Sequence, residues 1–229
     1  FTSYIKPISA FFRMETYVVV PAYNEEKNIG KVLDKLATLN VSVVVVDDGS
    51  HDKTSHEAKV RGVKVLRNII NLGKGAALRL GCDYAYKKGA TQIIVLDADG
   101  QHDPGMIPYF MAALTKADIV FGYRSHWQRM PFILRFGNWF INNTISTLYG
   151  VTLRDTQSGF RAFCADVYPL LRWKASDYSM ESEMIANMGK NKLKYVQVPI
   201  ATIYADKYKG TTVFDGIKIV SRMIWWRLQ

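Results

Sequence analysis

Gln92-Ile93-Ile94-Val95-Leu96-Asp97-Ala98-Asp99-Gly100-Gln101-His102-Asp103-Pro104 passes from an apolar run straight into a cluster of acids. A short apolar, β-branched run ended by turn-forming residues reads as a strand buried on both faces, as in a parallel sheet covered by helices. Residues i and i+2 of an extended chain point the same way, so Asp97 and Asp99 can direct two carboxylates at one hard cation, with Gly100 making the bend. Mg²⁺ or Mn²⁺ held by one or two carboxylates shares its remaining positions between water and substrate phosphate, which points to a diphosphate-bearing substrate. Two acids in an ordinary strand-to-turn segment would give the same letters, so the surrounding sequence decides.

Working outward, Tyr17–Pro21, Val41–Val46 and Val63–Leu66 repeat the strand pattern and alternate with helical patterns at about 26–39, 52–61 and 74–88. Ile119-Val120-Phe121-Gly122 adds a fifth strand after a helix begun by Pro104. This rhythm predicts an α/β fold: a Rossmann-like, mostly parallel sheet with helices on both faces. Ligands of such sheets bind beyond the carboxyl ends of the strands, where Tyr23-Asn24-Glu25-Glu26, Asp47-Asp48-Gly49-Ser50 and Asp97–Asp103 all fall.

A chain of 229 residues without a low-complexity linker or repeat is expected to form one main domain, over 14–205, with residues 1–13 as an arm or appended segment. The net charge of +10 calls for an anionic partner, whether a phosphorylated metabolite, an acidic membrane surface or nucleic acid. The acidic strand ends argue against nucleic acid. Cys82 and Cys164 are far apart and His51, His56, His102 and His126 lack zinc spacing, which fits a reducing compartment. No run of about 18 apolar residues marks a membrane span. Residues 131–150 mix Phe132, Ile133, Leu134, Trp139 and Phe140 with Arg135 and Asn138, as in a helix lying in a membrane interface or one buried against the domain. Residues 206–229 read as a loop and a second amphipathic helix, with Phe214, Ile217, Val220 and Ile224 at helical spacing beside Lys218 and Arg222. The terminal Trp225-Trp226 suits a headgroup boundary, and the natural chain is open to continuing into a membrane segment.

Pro21-Ala22-Tyr23-Asn24-Glu25-Glu26, Val45-Val46-Asp47-Asp48-Gly49-Ser50 and the Asp97/Asp99 segment together resemble the donor site of family 2 glycosyltransferases with the GT-A fold. The resemblance runs over residues 15–205. Asp97-Ala98-Asp99-Gly100-Gln101-His102 and Asp155-Thr156-Gln157-Ser158-Gly159-Phe160-Arg161 are most similar to dolichyl-phosphate mannose synthases and related polyprenyl-phosphate glycosyltransferases. The resemblance implies a nucleotide-sugar donor, GDP-mannose first and UDP-glucose next, bound by Pro21, Tyr23, Glu25, Asp47, Lys74, Asp97, Ala98 and Asp99. It implies Mg²⁺ or Mn²⁺ on Asp97, Asp99 and Gln101. For Asn24, Glu26 and Asp48, capping or turn formation is an equal reading. Lys74, in Asn71-Leu72-Gly73-Lys74-Gly75, either contacts donor phosphate at a helix start or belongs to a loop closure.

The implied acceptor is dolichyl or polyprenyl phosphate, at the cytoplasmic face of the membrane, with the protein peripheral and an oligomer or membrane-anchor subunit left open. A phosphate oxygen is already anionic, so no strong base is required, and the work moves to positioning and charge stabilisation. Arg124 and Arg135 match in order the arginines that bracket phosphate in that group, with Asp99 beside them in catalysis. Ser158, Lys207 and Lys209 complete the expected acceptor-phosphate set, although the two lysines depart from that group's spacing. Processive synthases carry Gln-x-x-Arg-Trp, whereas Pro169 stands where Arg172-Trp173 would require the glutamine. The alternative is a hydroxyl acceptor on a soluble glycan or protein, with Glu181 or Glu183 as base. Both glutamates open a predicted helix, where acids are also favoured by its positive end.

Overall fold

A computed structural model describes residues 15–124, 132–156, 158–201, 221–223 and 225, the side chains of 132–138 excepted. In β1 (Thr16–Ala22) successive valines point to opposite faces and both faces are dry: Val18 and Val20 join one core cluster, Val19 the other. Such a strand belongs inside a helix-covered sheet. β1 pairs in parallel with β2 (Ser42–Asp47) and with β4 (Gln92–Val95), and β3 (Lys64–Arg67) pairs in parallel with β2.

α1 (Ile29–Leu36) lays Ile29, Val32, Leu33 and Leu36 on the Val18/Val20 face, the i, i+3, i+4, i+7 stripe of an amphipathic helix. α2 (Thr54–Lys59) adds Ala58 to the same face. α3 (Lys74–Lys87) covers the Val19 face with Ala77, Leu78, Cys82 and Ala85. It lies so close that a Cβ on Gly81 would stand 2.3 Å from Val19 Cγ1 and 2.9 Å from Val46 Cγ2. The three helices occur where the sequence predicts them but are shorter. α1 starts late because the amides before it are taken by the loop after β2: Asn24 N–H donates to Ser50 Oγ at 2.9 Å, Glu25 N–H to Thr54 Oγ1 at 2.8 Å and Glu26 N–H to Asp52 Oδ2 at 3.1 Å. These bonds fasten the end of β1 to the end of β2.

The far half of the sheet contains what the sequence pattern did not reveal. A 3₁₀ turn at Pro104–Met106 leads into α4 (Ile107–Ala113), and β5 (Ile119–Arg124) follows, but β5 does not touch β4. β6 (Arg161–Cys164) inserts between them, antiparallel to both, and β7 (Tyr195–Ile200) pairs in parallel with β5. The seven-stranded order is β3-β2-β1-β4-β6-β5-β7.

α5 (Phe132–Tyr149), the expected interfacial helix, buries Ile141 and Ile145 in the Val19-side core and leaves Trp139 and Phe140 exposed. Its second half is therefore a packed helix of the domain. α6 (Tyr168–Leu171) and α7 (Met180–Lys190) complete that face. Residues 1–13, Lys207, Lys209 and most of the expected C-terminal helix lie outside the described residues. Met223 is within them and buried, its carbonyl accepting from Tyr149 Oη at 2.7 Å. No helix among the described residues is long and apolar enough to cross a membrane.

Candidate active site

Because β1, β2 and β4 are parallel neighbours, their carboxyl ends open on one edge of the sheet. A cleft of about 550 Å³ forms there, lined by Pro21, Tyr23 and Glu25 from the first end, Asp48 from the second and Asp97, Ala98 and Asp99 from the third. Lys74 closes one side, and Asp177 and Tyr178, which precede α7, form a lip. Of the expected donor contacts, the structure brings seven of eight together: Pro21, Tyr23, Glu25, Lys74, Asp97, Ala98 and Asp99.

Asp47 is the exception. It is fully buried at the end of β2, where it accepts from Ser50 N–H at 2.9 Å and from the Ser55 hydroxyl and stands 3.6 Å from Arg67 Nε. Its neighbour Asp48 lines the cleft instead, since successive side chains on an extended chain alternate. Asp48 also accepts from Asn68 Nδ2 at 2.7 Å, Leu72 N–H at 3.0 Å and Gly73 N–H at 2.8 Å, holding the loop before α3.

The acid pair is asymmetric. Lys74 Nζ lies 2.9 Å from Asp97 Oδ1 and 3.0 Å from Oδ2, and 3.2 Å from Glu181 Oε1. Burial alone would raise the Asp97 carboxyl, but the charge and hydrogen bond of Lys74, together with the charges of His102 and Arg161, outweigh it and hold the group below the ordinary value. Burial likewise opposes the charge on Lys74, and its two carboxylates more than compensate, pushing it up. Among the described residues Asp99 has no such ion pair: burial, then the Asp97 charge, pushes its carboxyl up, and the Gln101 N–H at 3.0 Å and the Lys74 charge compensate only in part.

Two carboxylates at the floor of a cleft, one of them repelled by the other, fit a hard divalent cation. No group of three acid, histidine or cysteine side chains poised for a metal occurs among the described residues, so Asp97 and Asp99 would be the protein's share of an otherwise water- and diphosphate-ligated ion. Gln101, expected as a third ligand, reaches Asp99 through its backbone amide and does not line the cleft. Gly159 packs on Asp97: a Cβ there would fall 2.1 Å from Asp97 Oδ2. Gly159→Ala must therefore displace that carboxylate. A loss of about 10²-fold in kcat/KM is expected, because misplacing a positioning group by about 1 Å costs that much. Steady-state rates beside a melting curve check it, and a normal rate would show that Asp97 can yield freely.

The backbone at the start of α3 packs on a loop. A Cβ on Gly73 or on Gly75 would fall 2.5 Å from the carbonyl oxygen of Ser176 or Ala175, respectively, and Ala76 N–H donates to Ser176 O at 3.2 Å. Trp173 Nε1 donates to Gly75 O at 2.8 Å. The two glycines are there to admit the 175–177 loop. Lys74 reaches the site by its side chain alone.

Arg124 is clamped by Asp155, with Nε 2.6 Å from Oδ2 and an Nη donating to Oδ1 at 3.0 Å. Asp155 is fully buried, so this bidentate pair fixes the guanidinium at the end of β5. Ser158 is buried and does not line the cleft, and its hydroxyl accepts from Phe160 N–H at 3.4 Å. The backbone of Arg135 belongs to α5, but its side chain lies outside the described residues, as do Gln157, Lys207 and Lys209. Glu183 accepts Lys174 N–H at 2.9 Å on one oxygen and Ala175 N–H at 2.8 Å on the other, which makes it a loop clamp. Glu181 Oε2 is buried without a hydrogen-bond partner among the described residues.

Sequence reading missed Arg161. It is wholly buried, donating to Thr156 O at 2.6 Å, Ser158 O at 3.0 Å and Glu181 O at 3.2 Å, with its charge 5.4 Å from the Phe121 ring centre. It thus ties the Gly159 segment to α7. A single arginine opening a four-residue strand gives no periodic signal, so only the fold reveals it.

Comparison with known proteins agrees with this geometry. Among solved structures, glucosyl-3-phosphoglycerate synthase of Mycobacterium tuberculosis, in complex with Mg²⁺ and uridine diphosphate, superposes with a TM-score of 0.76 at 18% identity, over 94% of this chain and 80% of that one. The fold is accordingly GT-A-like. In sequence, an uncharacterized protein of Methanocaldococcus jannaschii is 39% identical over 92% of this chain and 91% of its own. The UDP-N-acetylglucosamine–dolichyl-phosphate N-acetylglucosaminyltransferase of Methanococcus voltae is 32% identical over 91% and 94%. The undecaprenyl-phosphate mannosyltransferase of Micrococcus luteus is 27% identical over 91% and 93%. Residues 17–176, which carry all three strand ends, Lys74 and Gly159, match the model of glycosyl transferase family 2, and the chain belongs to that family.

Proposed function

We propose that this glycosyltransferase moves one hexose from a nucleotide sugar to a polyprenyl phosphate, with inversion at the anomeric carbon. The observation that carries the reading is the Asp97/Asp99 pair lining the cleft, with the Asp99 carboxyl pushed up by burial and by the Asp97 charge. Pro21 and Tyr23 offer surface for the nucleoside, and Glu25 and Asp48 offer acceptors for its hydroxyl and N–H groups. Asp97 and Asp99 would hold Mg²⁺ or Mn²⁺, which when bound supplies positive charge against the leaving diphosphate. A phosphate oxygen of the acceptor forms the new bond to C1 as the C1–O bond to the diphosphate breaks, and the nucleoside diphosphate leaves. Arg124, held in place by Asp155, is the proposed orienting charge for the acceptor, with Arg135, Lys207 and Lys209 proposed beside it.

No base is needed, and the structure offers a poor one. Glu183 spends both oxygens on backbone amides, and Glu181 is neutralised by Lys74. This disfavours the hydroxyl-acceptor alternative. Action at the cytoplasmic face as a peripheral protein is part of the proposal, and free Cys82 and Cys164 are compatible with a reducing compartment. The family resemblance makes GDP-mannose the first donor to test. Similarity to the relative named for UDP-N-acetylglucosamine, higher than to the mannosyltransferase, supports testing that donor as well. The test incubates the protein with labelled GDP-mannose, UDP-glucose or UDP-N-acetylglucosamine, polyprenyl phosphate and Mn²⁺. A labelled lipid phosphate sugar from one donor is expected, and none from any donor would sink the proposal.

A further inference from the structure

We infer that Arg222, on the segment that follows the sheet domain, is a positioning residue for the donor cleft. An Nη of Arg222 lies 2.7 Å from Asp177 Oδ1 and 3.0 Å from Oδ2, and it also donates to the Ser179 hydroxyl. Asp177 Oδ1 in turn accepts from Ser179 N–H at 3.1 Å and from Ser179 Oγ at 2.5 Å, which folds 177–179 into a tight turn. That turn is the lip of the cleft, since Asp177 and Tyr178 line it. Next to Arg222, Met223 is buried in the Val19-side core and bonded through its carbonyl to Tyr149. The arginine therefore reaches the lip from a fixed base.

The lip is coupled to the acid pair on two sides. Upstream, Ser176 O accepts from Ala76 N–H, and the 175–177 backbone rests on Gly73 and Gly75, which flank Lys74. Downstream, Ser179 leads into α7, whose second residue, Glu181, holds the other side of Lys74. Tyr178 lies with its ring centre 5.8 Å from Lys74 Nζ. A shift of the 176–179 turn must therefore disturb Lys74, and through it Asp97. Arg222 is not among the residues that line the cleft. It acts through Asp177 and Ser179.

The assignment rests on the donor reading above for its kinetic consequence, and the experiment separates the two. Arg222→Ala and Arg222→Lys are made in the full chain, with Ser179→Ala as a milder variant that removes the hydroxyl's contacts to Arg222 and Asp177 without leaving an acid facing a lost cation. Amide hydrogen exchange of the unliganded proteins is read over 175–182, and binding of UDP and of GDP with Mn²⁺ is measured by calorimetry. Arg222→Ala is expected to speed exchange in 175–182, with the β1 and β4 amides unchanged, and to weaken binding of the preferred nucleotide about tenfold, the loss of one charge-assisted contact network. Donor KM should rise with kcat little changed, and Arg222→Lys should recover part of the affinity. Unchanged exchange over 175–182 overturns the inference whatever the protein binds. A wild-type protein that binds neither nucleotide overturns the donor reading while the exchange result still decides the lip. Should Arg222→Ala fail to fold, Ser179→Ala decides, with the same direction of change in exchange expected and a wild-type profile counting against it.

Discussion

Asp99→Ala is expected to cut turnover by about 10²–10³-fold, the scale on which removal of one preorganised electrostatic group acts, while leaving the fold as stable as before or slightly more so. The stability half follows from the direction of the Asp99 shift. Burial and the neighbouring Asp97 raise this carboxyl in the folded protein, so above its ordinary range the ionised group opposes folding, and truncating it removes that opposition. Asp97→Ala would not behave this way, because it strips Lys74 of one of its two carboxylate partners. Rates at saturating donor and Mn²⁺, beside melting curves taken with and without UDP and Mn²⁺, test both halves. The variant should lose most of the stabilisation that the metal and nucleotide give together, since ligands that bind the native state raise its apparent stability. Near-normal turnover would remove Asp99 from the metal site, and a large fall in melting temperature would show that it is structural.

The contrast between the two aspartates marks how far the sequence could be read. The strand ends were legible because burial on both faces forces long apolar runs in β1, β2 and β4, and polar residues then crowd where each run stops. From that and the family resemblance, eight donor-side residues are assigned to one site, and seven of them line one cleft. Asp47 against Asp48 was not legible: adjacent acids differ only in which face the chain presents at one residue, and the hydrogen bonds to Ser50 and Ser55 decide it. β6 and Arg161 were hidden for a related reason. A four-residue strand held between two neighbours needs no periodic pattern, and a buried arginine satisfied by three backbone carbonyls looks, in sequence, like a surface charge. The two readings of Lys74 divide on long-range packing, since Glu181 lies 107 positions away, which no local pattern reports.

Lys74→Met separates those two readings by where its damage falls. If Lys74 served mainly as a phosphate contact, its loss would raise donor KM and leave the apo protein as stable as before. In the structure its side chain is only 18% exposed and sits between Asp97 and Glu181, whose side chains are 22% and 4% exposed. Removing it leaves two largely buried carboxylates without their shared cation, and breaking such a pair from one side costs about 3–5 kcal/mol. For a chain of this size that is a fall in melting temperature of about 10 °C. Lys74→Met with Glu181→Gln should recover part of the loss, because one of the two stranded charges is gone. Mn²⁺ should stabilise the single variant more than the wild type, a cation at Asp97 restoring the missing charge there. If instead the apo melting temperature stays level while donor KM climbs, Lys74 belongs to the substrate, and the Asp97–Lys74–Glu181 cluster is not what holds the floor of the cleft together.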